Sequence, residues 1–399
     1  MIEKALIGDE RYWGWVLFLL IVIGVGVACW LYQLNVGLGI TGMSRDVSWG
    51  IYIAQFTYLV GVAASAVMLV IPLYLHDYRK YAKAVIFGEF LAISAVTMCI
   101  LFIVVDIGQP QRMLNVVLHP TPNSILFWDM LVLSGYLTIN VIVGWNALLA
   151  YRKDVPPAGW VKPFVYLSIP WAVSIHTVTA FLYAGLPGRH LWLTAIMAPR
   201  FLASAFASGP ALLILLLLLV NKLTRFDVGR DAIQTLSKTV CYAMIINIFF
   251  LCMEFFTGFY SNIPGHMHGL QYLFVGLHGH DQLVPWMWAA AVFAFIGVLM
   301  LLVPPIRRNQ GLLAVACVAI FLGTWIDKGI GLVIGGFVPS PLEVVTAYYP
   351  SFAEISIAVG IWAIGALILT ILYKVAVAVK REPVNLGGMV EGSAHGGTH

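Results

Sequence analysis

The sequence predicts an all-α polytopic membrane protein of about ten transmembrane helices, and three observations carry that prediction. Of 399 residues, 61% are hydrophobic and only 10% charged, against about 25% charged in a soluble domain. Ten apolar runs reach the length of about twenty residues that crosses a bilayer. Their connections carry basic residues almost entirely on one side. The short alternating segments of a transmembrane β-barrel are absent.

The runs, in order, cover about 13–38, 50–75, 84–106, 124–150, 162–186, 200–221, 238–260, 284–305, 311–338 and 351–379. The first follows MIEKALIGDERYWGW, which lacks the basic start and small-residue cleavage site of a signal peptide, so it reads as a retained helix. The ninth is interrupted by Asp327 and Lys328. All but five of the 22 Lys and Arg fall at the N-terminus and on alternate loop ends; Arg45, Arg112, Arg189, Arg200 and Lys328 fall opposite. The positive-inside rule then places both termini in the cytoplasm. A single integral membrane domain covers 1–380, and the Gly-rich tail 381–399 reads as disordered and cytoplasmic. The longest loops, 107–123, 187–199, 261–283 and 339–350, face outward, so any chemistry is expected on that face.

Composition also excludes several classes. Cys29, Cys99, Cys241, Cys252 and Cys317 lie inside apolar runs with no CxxC. Iron–sulfur and zinc sites need closer ligand groups, so these cysteines read as small hydrophobes. Axial haem ligation needs two facing membrane histidines, and His176 stands alone within a run. The net charge of +4 gives no signal for nucleic acid.

An ionisable side chain in a membrane span is costly unless paired or snorkelling, and marks a candidate function. The acids are Glu89, Asp106, Asp129, Glu254, Asp327 and Glu354, with Lys328 beside Asp327 and His176 in the fifth run. Asp106 stands in "LFIVVDIGQPQRM" (101–113), where the helix dipole and the apolar surroundings both disfavour a carboxylate. Two readings are open: a clamp to Arg112, brought back by a turn at Gly108 and Pro110, or a proton-exchanging carboxyl at a pocket. His176 either bonds across helices or serves a quinone carbonyl and its protons. Glu254, Asp327, Lys328 and Glu354 form either a buried ion-pair network or a proton relay. Glu89 is an inner proton entry or a snorkelling carboxylate. His266, His268, His278 and His280 in "GHMHGLQYLFVGLHGHD" offer imidazoles, but without carboxylate or cysteine partners they favour a subunit interface over a metal. Trp49, Tyr52 and Gln55, at i, i+3 and i+6, share a helix face that suits either a quinone ring or ordinary packing.

"DIGQPQR" (106–112) followed by "HPTPNSILFWD" (119–129) resembles the D-x-G-x-P-x-R…P…S…W pattern of the NrfD/polysulfide reductase membrane-subunit family. "IPWAVSIHTVTAFLYAGLPGRHLWLTAIMAPRFLASAFASGPALL" (169–213) is similar to its fifth and sixth helices. "WIDKGIGLVIGGFVPSPLEVVTAYYPSFAEISIAVGIW" (325–362) resembles its ten-helix branch, within which the short loops are most similar to the DsrP subunits of sulfite-reduction-associated DsrMKJOP complexes. The resemblance implies two four-helix bundles, about 50–186 and 200–338, with flanking helices 13–38 and 351–379. It implies an inner-membrane subunit with no haem or iron–sulfur cluster of its own, binding menaquinone as substrate. Its partners would be a periplasmic ferredoxin-like iron–sulfur subunit and other membrane or cytochrome subunits. Asp106, Arg112, Asp129 and His176 match motif positions and are the expected quinone-binding residues; Gln55 is added from its helix face. Glu89, Glu254, Asp327, Lys328 and Glu354 are the expected proton-transfer residues, and no metal ligands are expected. A secondary transporter, which also uses interrupted helices, and a haem b subunit are the alternatives.

Overall fold

In lipid, each backbone polar group must be satisfied within its own segment, so apolar runs of this length fold as helices. A computed structural model describes residues 3, 6–63, 65–75, 79–153, 155, 157–224 and 226–381. Ten of its helices are long and apolar enough to cross a membrane: α1 Glu10–Val36, α2 Ile51–Tyr74, α3 Val85–Asp106, α4 Ile125–Lys153, α5 Gly159–Ala184, α6 Met197–Thr224, α7 Arg230–Tyr260, α8 Val284–Leu302, α9 Gln310–Gly335 and α10 Phe352–Lys380. Each coincides with one expected run. This is the architecture of a multi-pass inner-membrane protein. Of the expected disordered tail 381–399, Arg381 ends the last helix, and residues 382–399 lie outside the described residues.

Several helices extend past their apolar cores because polar residues at their ends also favour helix. Asp9 caps α1 by accepting from the Tyr12 amide at 3.0 Å, which satisfies one orphan donor of the first turn. At the far end of α3 the chain turns at Gly108, whose φ of +71° suits glycine. A 3₁₀ turn, Pro110–Arg112, follows.

Two spans are irregular. α2 consists of Ile51–Ala63 and Val67–Leu75, and the backbone of α6 packs against the break. A Cβ on Gly209 would stand 3.0 Å from the Val62 carbonyl oxygen and 3.1 Å from the Ser65 amide. α9 carries a seven-residue π-helix, Trp325–Gly331, which holds Asp327 and Lys328. π segments inside α-helices recur at functional sites.

α2 lies at the centre of the packing, against α3, α6 and the π segment of α9. α4 packs on α3 and α5, α6 on α5, α7 and α9, and α8 on α7 and α9. α1 and α10 pair with each other, and α10 also covers α3. The α1–α10 crossing is made by glycines: a Cβ on Gly26 would come within 2.8 Å of the Gly360 Cα. Small residues let membrane helices approach this closely.

Candidate functional site

α4 begins at Ile125 and carries Asp129 just past its first turn; α5 ends at Ala184 and carries Thr179 just before its last. Thr179 Oγ1 donates to Asp129 Oδ1 at 2.7 Å, and both residues are buried. One turn along the same face of α5 is His176, with no exposed surface. Neither of its ring nitrogens has a hydrogen-bond partner. Buried polar atoms are almost always bonded, so an imidazole with two unpaired nitrogens calls for an explanation. Tyr183, one turn beyond Thr179, forms a short hydrogen bond with Thr57 of α2. Thr57 donates its own proton to the Ile53 carbonyl, so the tyrosine hydroxyl is the donor. Above it, Trp49, Trp192 and Phe337 close the end of the bundle, with the Tyr183 and Trp192 rings 5.0 Å apart.

Asp106 ends α3 on the helix face that also carries Cys99 and Phe102, both fully buried. Its Oδ1 is buried and unpaired. The turn at Gly108 forms as expected, yet Arg112 is exposed, and no ion pair joins it to Asp106 among the described residues. The neighbouring Tyr52 hydroxyl donates to Gln33, and Gln33 donates to the Val105 carbonyl, both at 2.7 Å. This chain of bonds ties α1 and α2 to the end of α3.

The face of Trp49, Tyr52 and Gln55 divides among different partners. Trp49 precedes the first helical residue and stacks in the aromatic lid. Gln55 Oε1 accepts from the indoles of Trp325 and Trp362, at 2.9 and 3.0 Å. Gln55 therefore faces α9 and α10. Thr57, two residues on, points the other way round the helix to α5.

The four later charges likewise go to different places. Asp327 accepts two bonds from Arg200 Nη2, at 2.8 and 3.0 Å. Lys328 is buried over the Phe201 ring, 4.3 Å from its centroid, with Nζ 3.4 Å from the Phe201 carbonyl oxygen. It reaches toward the His176 side of the molecule: a Cβ on Gly61 of α2 would meet Lys328 Nζ at 3.1 Å and Ser208 Oγ at 3.3 Å. Ser208 Oγ is itself buried and unpaired. Glu354, also fully buried, is completely bonded. Its carboxylate accepts from the Gly42 and Ser351 amides and the Tyr348 hydroxyl, at 2.7, 2.8 and 2.7 Å. Ser351 Oγ accepts from the Glu354 amide in return, which makes Ser351 to Glu354 a capping box. Glu254 has one buried unpaired oxygen on α7. Glu89 is buried on α3 against Gly144 of α4.

His268 pairs with Glu343 at 2.9 Å, and the rings of His190 and His266 lie 6.3 Å apart. Among the described residues, no group of three or more His, Cys, Asp or Glu is placed to hold a metal ion.

A family model described as Polysulphide reductase, NrfD matches residues 39–338, well over half of the chain. The chain belongs to the NrfD family. It is 29% identical, over 90% of its length and 89% of the relative's, to a candidate membrane subunit of dimethyl sulfoxide reductase from Halobacterium salinarum. It is 26% identical, over 68% of its length and 67% of the relative's, to the Hdr-like menaquinol oxidoreductase integral membrane subunit of Archaeoglobus fulgidus. It is 21% identical, over 92% and 91%, to the menaquinone reductase integral membrane subunit of Nitratidesulfovibrio vulgaris. Asp106, Asp129, His176 and Lys328 fall within the NrfD match, whereas α1, α10 and Glu354 fall outside it.

Thr179, Tyr183, Thr57 and Arg200 are the members of this polar interior that sequence reasoning missed. Thr179 and Tyr183 carried a usable signal, since they follow His176 at i+3 and i+7 on one helix face. Arg200 carried none, because its partner lies 127 residues away.

Proposed function

We propose that this NrfD-family chain is the quinone-binding membrane anchor of a multi-subunit respiratory oxidoreductase. The observation that carries the reading is His176, buried with both ring nitrogens unpaired, one turn from the Thr179–Asp129 bond. A quinol head group at this place would donate one hydroxyl proton to His176 and one to Asp129. Its two electrons would pass to an iron–sulfur cluster of a partner subunit. Asp106, which ends α3 with a buried, unpaired oxygen, is the exchange carboxyl toward the outer face. The names of two relatives, a menaquinol oxidoreductase subunit and a menaquinone reductase subunit, favour menaquinone.

The same reading includes cytoplasmic termini, an outward-facing site, and two four-helix bundles, 50–186 and 200–338, within the α1–α10 flank. It keeps Gln55 and Arg112 as outlying quinone contacts, and membership of the DsrP-like branch as a finer assignment. Glu89, Glu254, Asp327, Lys328 and Glu354 stay proton-transfer candidates; of these, Lys328 has the geometry closest to the His176 site. In the assembled complex, His176→Ala and Asp129→Asn should each lower quinol oxidation by about a hundredfold or more, with subunit assembly intact. Unchanged turnover in both variants would end the proposal.

The broken α2 and the π segment of α9 favour a second reading, secondary transport. Solute flux into liposomes holding the chain alone would establish it, and a membrane anchor would give none.

A further inference from the structure

A cavity of about 500 Å³ opens between the first turn of α7 and the start of α9, at the end of the molecule that carries most of its Lys and Arg. Arg230 lines it from α7, and Arg308 lines it from the short helix Pro304–Arg308 that leads into α9. Both arginines are exposed, so their guanidinium groups are accessible. Gln234 and Gln310 add amide groups, and the buried side chains of Ile233 and Leu313 add apolar surface.

Charge and size select the occupant. No Asp or Glu lines the cavity, and among the described residues neither arginine makes an ion pair. The acids nearest to Arg230 in sequence are engaged elsewhere: Asp231 pairs with Lys80 at 2.7 Å, and Asp227 accepts from the Gly229 amide at 2.9 Å. The positive-inside rule accounts for basic residues at this end, but not for two that share a cavity without a counter-charge. Other cations here are occupied. Arg307 Nη1 donates to the Leu301 carbonyl at 2.8 Å, and Lys380 Nζ donates to the Lys83 carbonyl at 2.6 Å. The Arg307 carbonyl accepts from Gln234 Nε2 at 2.8 Å, which ties the α7 wall to the short helix and holds the cavity in shape. Two like charges on one cavity repel, and an anion between them replaces that repulsion with attraction. A bare halide or carboxylate would leave most of the space unfilled, whereas this volume falls in the range of sites for organic ligands. A phosphate ester offers several oxygens to two guanidinium forks at once, and its substituent meets the amides and the apolar surface.

We propose that this cavity binds a phosphate ester, with its phosphate group held between Arg230 and Arg308. The headgroup of an anionic phospholipid and a soluble phosphate compound share that chemistry, and the test separates them. The site is independent of the quinone reading. The full chain, purified in a phosphate-free maltoside detergent, is titrated with radiolabelled inorganic phosphate. Binding should be saturable, and Arg230→Gln and Arg308→Gln should each weaken it about tenfold or more, as loss of a charged hydrogen-bond partner would. Both arginines are exposed and unpaired, so these variants leave the fold intact. Arg152→Gln, a basic residue at the same end on α4, should leave the affinity unchanged. The titration is then repeated with phosphatidylglycerol added to the detergent. Displacement of phosphate by the lipid, lost in the two variants, assigns the cavity to a lipid headgroup; phosphate binding that survives the lipid assigns it to a soluble phosphate compound. Absence of saturable binding of both phosphate and phosphatidylglycerol would overturn the proposal. So would binding that is insensitive to both variants, or an equal loss in Arg152→Gln, which would show a diffuse basic field rather than a site.

Discussion

His176 and Glu354 are both buried without any exposed surface, yet they differ in every bond. Glu354 sits at the N-terminus of α10, where the helix dipole favours a carboxylate. Two amides and a hydroxyl saturate it. His176 lies mid-helix, and both of its nitrogens are unpaired. The contrast separates two uses of a buried polar group. A saturated one fastens segments together, here the loop at Gly42, the loop at Tyr348 and the start of α10. An unsaturated one costs stability in the resting protein, and a ligand that bonds it recovers that cost.

Variants can break or sharpen this contrast. Arg200→Ala leaves Asp327 almost buried and unpaired, and should destabilise the protein by about 3–5 kcal/mol in unfolding from detergent. A loss far below that would move Asp327 from the saturated group to the unsaturated one. Glu354→Ala strips three donors of their acceptor and should cost about 2–3 kcal/mol, read as a lower unfolding temperature of the full chain. Gln55→Leu removes the acceptor of two indoles and should cost about 2 kcal/mol. Quinol turnover of the assembled complex should then fall by only about twofold, as for an outlying contact; a collapse would place Gln55 at the reacting ring instead. Thr179→Val should cost about 1 kcal/mol and raise the apparent KM for quinol, since Asp129 loses its orienting bond. The smallest stability effect belongs to His176→Leu. An apolar side chain of similar size removes an unbonded polar one, so unfolding should be unchanged or slightly later while turnover is lost. A marked destabilisation would mean that His176 is bonded after all.

The ten spans were legible because lipid enforces them: length and hydropathy suffice when every backbone group must be satisfied locally. The turn after Asp106 was legible from Gly108 and Pro110. The capping box at Ser351 and Glu354 was written locally as S-x-x-E ahead of an apolar run, beside the proton-transfer reading that the charge of Glu354 invites. Partner choice was not legible. Asp327 and Lys328 are adjacent in sequence, but the π segment sends one to Arg200 and the other toward Gly61 and Ser208. Asp106 and Arg112 are neighbours in sequence and unpaired in space. Which cation meets which acid depends on helix rotation and long-range packing, and hydropathy carries neither.

The glycine crossing of α1 and α10 has a consequence for biogenesis. α1 enters the bilayer well before α10, its main neighbour, so it waits there until α10 is inserted. Closing Gly26 onto Gly360 mates the pair, and a chain truncated before α10 would present an unmated α1 to membrane quality control.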